Sequence, residues 1–136
     1  MHLKEKGQAV VLFAVVMFLA TLFLLGILDY AVTTARMQET IAAADLAAHA
    51  GAQEISVQPN GEIVATQGGA AVAAAYFNFQ RPAYAQLLDV ACGRFQGRPA
   101  CQVTAQMYAP GYLLPERWIT IHAIGYLAHG VTRGDQ

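Results

Sequence analysis

The sequence predicts an α+β chain: a long amino-terminal helix, half of it in a membrane and half outside, packed on a small antiparallel sheet. Three observations predict it. Ala9 to Leu28 is unbroken by charge. The stretch that follows is rich in alanine and free of proline and glycine up to Gly51. The last third alternates apolar and polar residues with period two, the pattern of half-buried strands.

The apolar stretch reads AVVLFAVVMFLATLFLLGIL, interrupted only by Thr21 and Gly26. It is roughly 20 residues long, or ~30 Å as a helix, the thickness of a bilayer's hydrocarbon core. It is apolar on every side, so it has no face to turn to water. A buried core helix is the alternative, but core helices rarely run this far without a charge. Residues 9–28 are therefore read as a membrane anchor. The chain is 56% hydrophobic and 12% charged, against about 25% charged in ordinary globular proteins. With the anchor set aside, roughly 100 residues remain, enough for one small domain. A net charge of −1 and no basic stripe argue against a nucleic-acid partner.

Orientation follows from the flanks. Lys4 and Lys6 precede the span, Asp29 follows it, and Arg36 is the first basic residue beyond. Positive charge stays in the cytoplasm, so residues 1–8 form a short basic tail or leader inside and the rest lies outside. A cleaved secretory signal would have an apolar core of ~7–15 residues with a small-residue cleavage site close behind. The span is longer, and Asp29-Tyr30-Ala31-Val32-Thr33-Thr34 is a poor site. The expectation is a single membrane crossing, with the amino terminus inside and Asp29 onward outside.

The helix has no reason to stop at Leu28. Ile41 to Ala50 has very high helix propensity, and residues 29–53 are read as the outer half of one helix running from about Ala9 to about Ala52, some 65 Å at ~1.5 Å per residue. Tyr30, Thr34, Met37, Ile41, Ala44 and Ala48 share one expected face, and Gln38, Asp45, His49 and Gln53 a polar one. The small alanines let another backbone approach closely.

Residues 54–136 are read as one small α+β domain. Glu54–Val57 and Glu62–Ala65 flank Gln58-Pro59-Asn60-Gly61, a hairpin signal, with Pro59 keeping it at an edge. Thr66 is expected to cap a helix whose first turn Gly68 and Gly69 weaken and whose body is Ala70 to Phe79, ended by Arg81-Pro82. Tyr76, Phe77 and Phe79 are expected in the core. Leu88, Val90 and Cys92 alternate with Asp89 and Ala91. Cys101, Val103, Ala105 and Met107 alternate with Gln102, Thr104 and Gln106. Trp118 to His129 alternates with Ile119, Ile121 and Ala123 on one face and Thr120 and His122 on the other. Pro110-Gly111 and Pro115 punctuate the last connection, giving three antiparallel strands with one face on the helix. The tail Thr132 to Gln136 is expected to fray.

Cys92 and Cys101 flank a turn-rich link and fall in the inward phase of their strands. Outside the membrane the compartment permits a disulfide, worth about 2–3 kcal/mol for so short a loop. Two free thiols are the alternative, and no Cys-x-x-Cys or His-x-x-x-His spacing points to a metal. Catalytic candidates are few. His49 follows Asp45 by four residues and can pair with it along the helix. His122 faces outward, His129 lies near the end, and Ser56, the only serine, has no nucleophile-elbow context. Gly68-Gly69 lacks the lysine of a phosphate loop. The residues call for neither an enzyme nor a cofactor, metal or small-molecule substrate.

Lys4-Glu5-Lys6-Gly7-Gln8-Ala9-Val10-Val11-Leu12-Phe13 resembles the start of the TadE/TadG-like proteins of tight-adherence (Flp-type) pilus machines, with a short basic stretch, Gly-Gln and a long apolar run. Gly26-Ile27-Leu28-Asp29-Tyr30 matches the acidic residue such proteins place at the end of that run. Met37 to Ala52 is similar to the family's Leu-Gln-x-x-Ala-Asp-x-x-Ala-x-Ala-Gly-Ala-like stretch. The resemblance covers roughly the first 52 residues. It implies a bacterial envelope protein with a pilin-like shape, a minor pseudopilin or assembly factor whose partners, other pilus or secretion subunits, dock on the long helix. The alternative is an unrelated single-pass anchored binding module facing outward.

Prepilin leaders are cut after glycine, which makes the bond between Gly7 and Gln8 the candidate cleavage site. Family pilins then carry Glu at the fifth mature position, to meet a neighbour's terminal amine in lipid. Here that position is Leu12. The departure suits a minor subunit or an assembly factor closer to TadG, and the expectation is an intact amino terminus.

Overall fold

The computed structural model describes residues 2–128, and side chains from Gly7 to Ala128. The side chains of Lys4 and Lys6, His129 and the tail to Gln136 lie outside the described residues.

The chain is α+β. Helix α1 runs unbroken from His2 to Glu54, about 80 Å at 1.5 Å per residue. It outruns the expected Ala9–Ala52 at both ends. His2-Leu3-Lys4-Glu5-Lys6 holds good helix formers and no breaker, and Gly51 sits where a second helix crosses. A short hairpin follows, β1 (Ser56–Val57) and β2 (Ile63–Val64), paired antiparallel. The turn is closed by Gly61 N–H to the Gln58 carbonyl (2.8 Å), and Glu62 N–H donates to Asn60 Oδ1 (2.9 Å). Its strands are shorter than expected: beyond the Gln58 N–H to Glu62 carbonyl bond (2.9 Å), Pro59 has no N–H to extend the pairing.

Helix α2 spans Thr66–Gln80. Thr66 does not cap it. Ala65 holds the N-cap position in left-handed conformation (φ 61°), with no side-chain cap. Gly68 and Gly69 both lie within its first turn, and Gly69 is on its covered face. A Cβ at Gly51 would stand 2.6 Å from the Gly69 carbonyl oxygen, and one at Gly69 would stand 2.7 Å from that of Gly51. The two backbones cross where neither residue has a side chain, the small-residue contact that close helix approach needs.

Strands β3 (Ala85–Phe95), β4 (Arg98–Ala109) and β5 (Arg117–Tyr126) form an antiparallel meander in the order β3-β4-β5. The β3–β4 turn is two residues, Gln96-Gly97, both at positive φ (49° and 78°), which matches the twist of a tight hairpin. The inner face of β4 carries Cys101, Val103, Ala105, Met107 and Ala109, all buried. On β5, Ile121, Ala123 and Gly125 face the same way, as the alternation predicts. On β3 the phase slips at a bulge between Leu87 and Asp89. Leu88 falls in the bulge and is exposed, against expectation, while Val90 and Cys92 keep their inward places.

The outer half of α1 lies on this sheet through Thr40, Ala43, Ala44, Ala47, Ala48, Gly51 and Ala52. The expected stripe is thus displaced: Ala44 and Ala48 are buried and Met37 packs at the core's margin, but Tyr30 and Ile41 are exposed. Close approach selects the face. At Gly125, β5 presses so near that any Cβ would overlap the backbone of Ala48 and His49. Gln38, Asp45, His49 and Gln53 face outward as expected. Of the three aromatics of α2, only Phe77 is buried. Tyr76 is exposed, and Phe79, at 89% accessible, points away from the chain. Phe77 shares the covered face of α2 with Gly69 and Ala73, four residues apart each time.

Candidate functional site

The apolar start of α1 is long and apolar enough to cross a membrane, and among the described residues none of its apolar side chains is buried. The site with most structure is where that stretch ends. Asp29 is 4% exposed. Its carboxylate accepts three successive backbone N–H groups from the β4–β5 loop: Tyr112 to Oδ1 (2.6 Å), and Leu113 and Leu114 to Oδ2 (2.7 and 2.8 Å). Consecutive amides converging on one anion form a nest. The loop can present them because it doubles back at Gly111, where a Cβ would collide with the Leu114 carbonyl oxygen. The Leu114 donor does most to hold the Asp29 carboxyl below its ordinary range. Burial opposes it, and the Leu113 and Tyr112 donors and the Arg117 charge act in the same sense as Leu114.

Higher on α1, Arg36 Nη1 donates to the Tyr108 carbonyl (3.1 Å), and its guanidinium lies over the Tyr84 ring, 4.5 Å from the centroid. Tyr84 donates to the Glu39 carboxylate. Burial first, and this acceptor second, push the Tyr84 phenol up to about 12. Tyr108 donates to Glu116 and meets Trp118 edge to face at 5.5 Å. The hydrogen bond to Glu116 leads in raising the Tyr108 phenol, followed by burial and the Glu116 charge, with Arg36 opposing. Asp29, Arg36 and Glu39 thus fasten one side of α1 to the end of the sheet where β4 gives way to β5. Buried Thr40 turns its hydroxyl back to the Arg36 carbonyl (2.8 Å), spending it within the helix.

Other residues singled out in the sequence stand apart from this cluster. Cys92 and Cys101 are directly opposed in the β3–β4 register and joined in a disulfide. Cys101 Sγ lies beneath the Gly51–Gly69 crossing, 3.2 and 3.4 Å from where their Cβ atoms would be. The Gly7–Gln8 bond lies inside α1, and a Cβ on Gly7 would meet nothing within 4 Å, so packing within the chain does not explain that glycine. Leu12 is exposed among the other apolar residues between Ala9 and Leu28. His49 Nδ1 lies 2.9 Å from the Asp45 carbonyl and 3.5 Å from its carboxylate, on the open face. His122 pairs with Thr104 across β4 and β5 at 3.1 Å, also on an exposed face. Among the described residues no three His, Cys, Asp or Glu side chains converge as a metal site would require.

Sequence reasoning found Asp29 as the acidic end of an apolar run and missed its partners. The β4–β5 loop registered only as Pro110-Gly111 and Pro115, and Arg36 only as a charge. The available signal was Tyr112-Leu113-Leu114, three large apolar residues between two prolines in a connection. No family model, curated protein or solved structure matches the chain.

Proposed function

We propose that this chain is a non-enzymatic, membrane-anchored component of a Tad/Flp-type pilus or related secretion machine, a minor pseudopilin or assembly factor. It crosses the bacterial cytoplasmic membrane once, with Lys4 and Lys6 inside and the sheet outside. The observation that carries this reading is the division of one continuous helix. Its first half is apolar and unburied, and its second half packs through small residues on an antiparallel sheet. That outline fits the pilin-like shape implied by the resemblance of the first 52 residues. The exposed apolar half offers lipid and partner helices a surface on all sides, and Gly7, Ala9 and Ala14 leave room for close helix contact. Leu12 in place of a carboxylate favours a supporting subunit over a major pilin built on paired charges in lipid.

Deleting the gene in its own bacterium tests this. Surface pili or the machine's secreted products should be lost or reduced and return on complementation. Chemical crosslinking through the apolar half of α1 should capture inner-membrane pilus subunits. Unchanged piliation and secretion, with no such crosslinks, would leave only an anchored binding module. A secretion ATPase and a prepilin peptidase encoded beside the gene would support the first reading at little cost.

A further inference from the structure

We propose that the β4–β5 loop is a lipid-seated element: Tyr112, Leu113 and Leu114, with Trp118 at the start of β5, rest in the outer interface of the bilayer that α1 crosses. The inference rests on the anchor reading and adds a second point of membrane contact.

Three observations carry it. The first is continuity with the span. The loop is fastened to Asp29, the residue that ends the apolar stretch, and Leu113 reaches further back. Its Cδ2 would stand 3.6 Å from a Cβ on Gly26, which is three residues, about 4.5 Å, into the apolar stretch from Asp29. The sheet is oriented to match. Gly125 of β5 abuts Ala48 and His49 high on α1, while the opposite end of the β4–β5 ladder, Ala109 with Arg117, opens into this loop beside Asp29.

The second is exposure: none of the described residues covers the tip. Tyr112 is 54%, Leu113 48%, Leu114 51% and Trp118 54% accessible. Tyr30, one residue past Asp29, is exposed at the same height. Tyrosine and tryptophan at the end of a span, with aliphatic residues beside them, make the composition of a membrane interface.

The third is polar satisfaction. Irregular backbone is costly near hydrocarbon because its N–H groups lose water. Here the three N–H groups of the apolar tip are all taken by Asp29. The same bonds, with Arg117 nearby, hold the carboxylate charge that would otherwise be expensive at the bilayer edge. Asp29 makes the loop fit for lipid, and the loop makes Asp29 tolerable there.

Trp118 is the chain's only tryptophan, so its fluorescence reads one place. The full chain is reconstituted in phosphatidylcholine vesicles whose acyl chains carry bromine, a contact quencher, near either the carboxyl or the methyl end. Native Trp118 should lose most of its emission to the shallow bromines and little to the deep ones. In a Trp118→Phe background, Leu113→Trp should behave likewise and resist aqueous acrylamide, while Phe18→Trp, at mid-span, should be quenched by the deep bromines. If Phe18→Trp is quenched by lipid but Trp118 and Leu113→Trp respond only to acrylamide, the loop proposal falls and the anchor stands. If Phe18→Trp also escapes bromine, both fall. If the loop reporters are shielded from both quenchers, protein covers the loop and the lipid assignment is overturned. The unsubstituted protein gives the Trp118 result even where a variant fails to fold.

Discussion

Asp29 is a carboxylate whose partners lie more than eighty residues away, in a loop whose three successive N–H groups it gathers. Replacing it with Asn keeps the shape but leaves one acceptor oxygen and no charge, and it sets an NH2 against an N–H. Amide exchange at Leu113 and Leu114 should then quicken about tenfold or more, as loss of a charge-assisted bond implies. The pH dependence has a definite sign. The folded carboxyl sits below its ordinary 3.8. Its contribution is therefore fully present above that value and is lost as pH falls through the lower, folded one. Protection of the loop amides, taken as the exchange rate relative to the intrinsic rate at each pH, should hold from neutrality to about pH 4 and decline below it, with Asp29→Asn flat across the same window. A second single-residue prediction concerns the disulfide. Cys92→Ala should destabilise the outer domain by about 2–3 kcal/mol in denaturant titration, without releasing the chain from membranes. The acid at the end of the apolar run was legible in the sequence, as were two cysteines in inward phase. The nest on Asp29 was not, because nothing local to 112–114 says that their N–H groups point at residue 29.

At the scale of elements, small residues decide how the helices and sheet meet. Gly51→Ala or Gly69→Ala would force a methyl to about van der Waals overlap with a carbonyl of the opposite helix, and each should cost about 1–3 kcal/mol. Gly125→Ala should be as harmful, since its methyl would enter the backbone of α1. Gly68 is helical, with open space around its Cβ, so Gly68→Ala should stabilise by about 0.5–1 kcal/mol. Thermal unfolding of the four variants checks the contrast, and equal effects at Gly68 and Gly69 would contradict the crossing. These contacts explain where pattern reading succeeded. Period two on β4 and β5 is enforced by burial against α1, so both strands were legible. On α1 every candidate face was rich in alanine, and large residues such as Tyr30 and Ile41 drew the stripe to the wrong side. The bulge at Leu88 moved one residue out of phase, and no glycine or proline marks it. On α2, three aromatics in four positions cannot share one face, and the sheet took Phe77 alone.

One helix carries two compositions: an apolar half that no described residue buries, then a half whose alanines fit a sheet. That division was readable from the sequence because the change is one of composition and needs no knowledge of contacts. How the helix is fastened to the sheet was not, since Asp29, Arg36 and Glu39 act through residues of the loop and strands. The amino terminus carries its own prediction. Intact mass of the native protein should include Met1 to Gly7 or lack only the initiator, whereas a chain beginning at Gln8 would move the protein toward the processed pilins. In the proposed function the first half of α1 spans a membrane. The most direct measurement is extraction of native envelopes at alkaline pH in carbonate, followed by immunodetection of the full chain in pellet and supernatant. A span of about 20 apolar residues is held by hydrophobic transfer and not by charge, so the protein should stay in the pellet and leave only with detergent. Release into the supernatant by carbonate or salt alone would mean that α1 does not span the membrane.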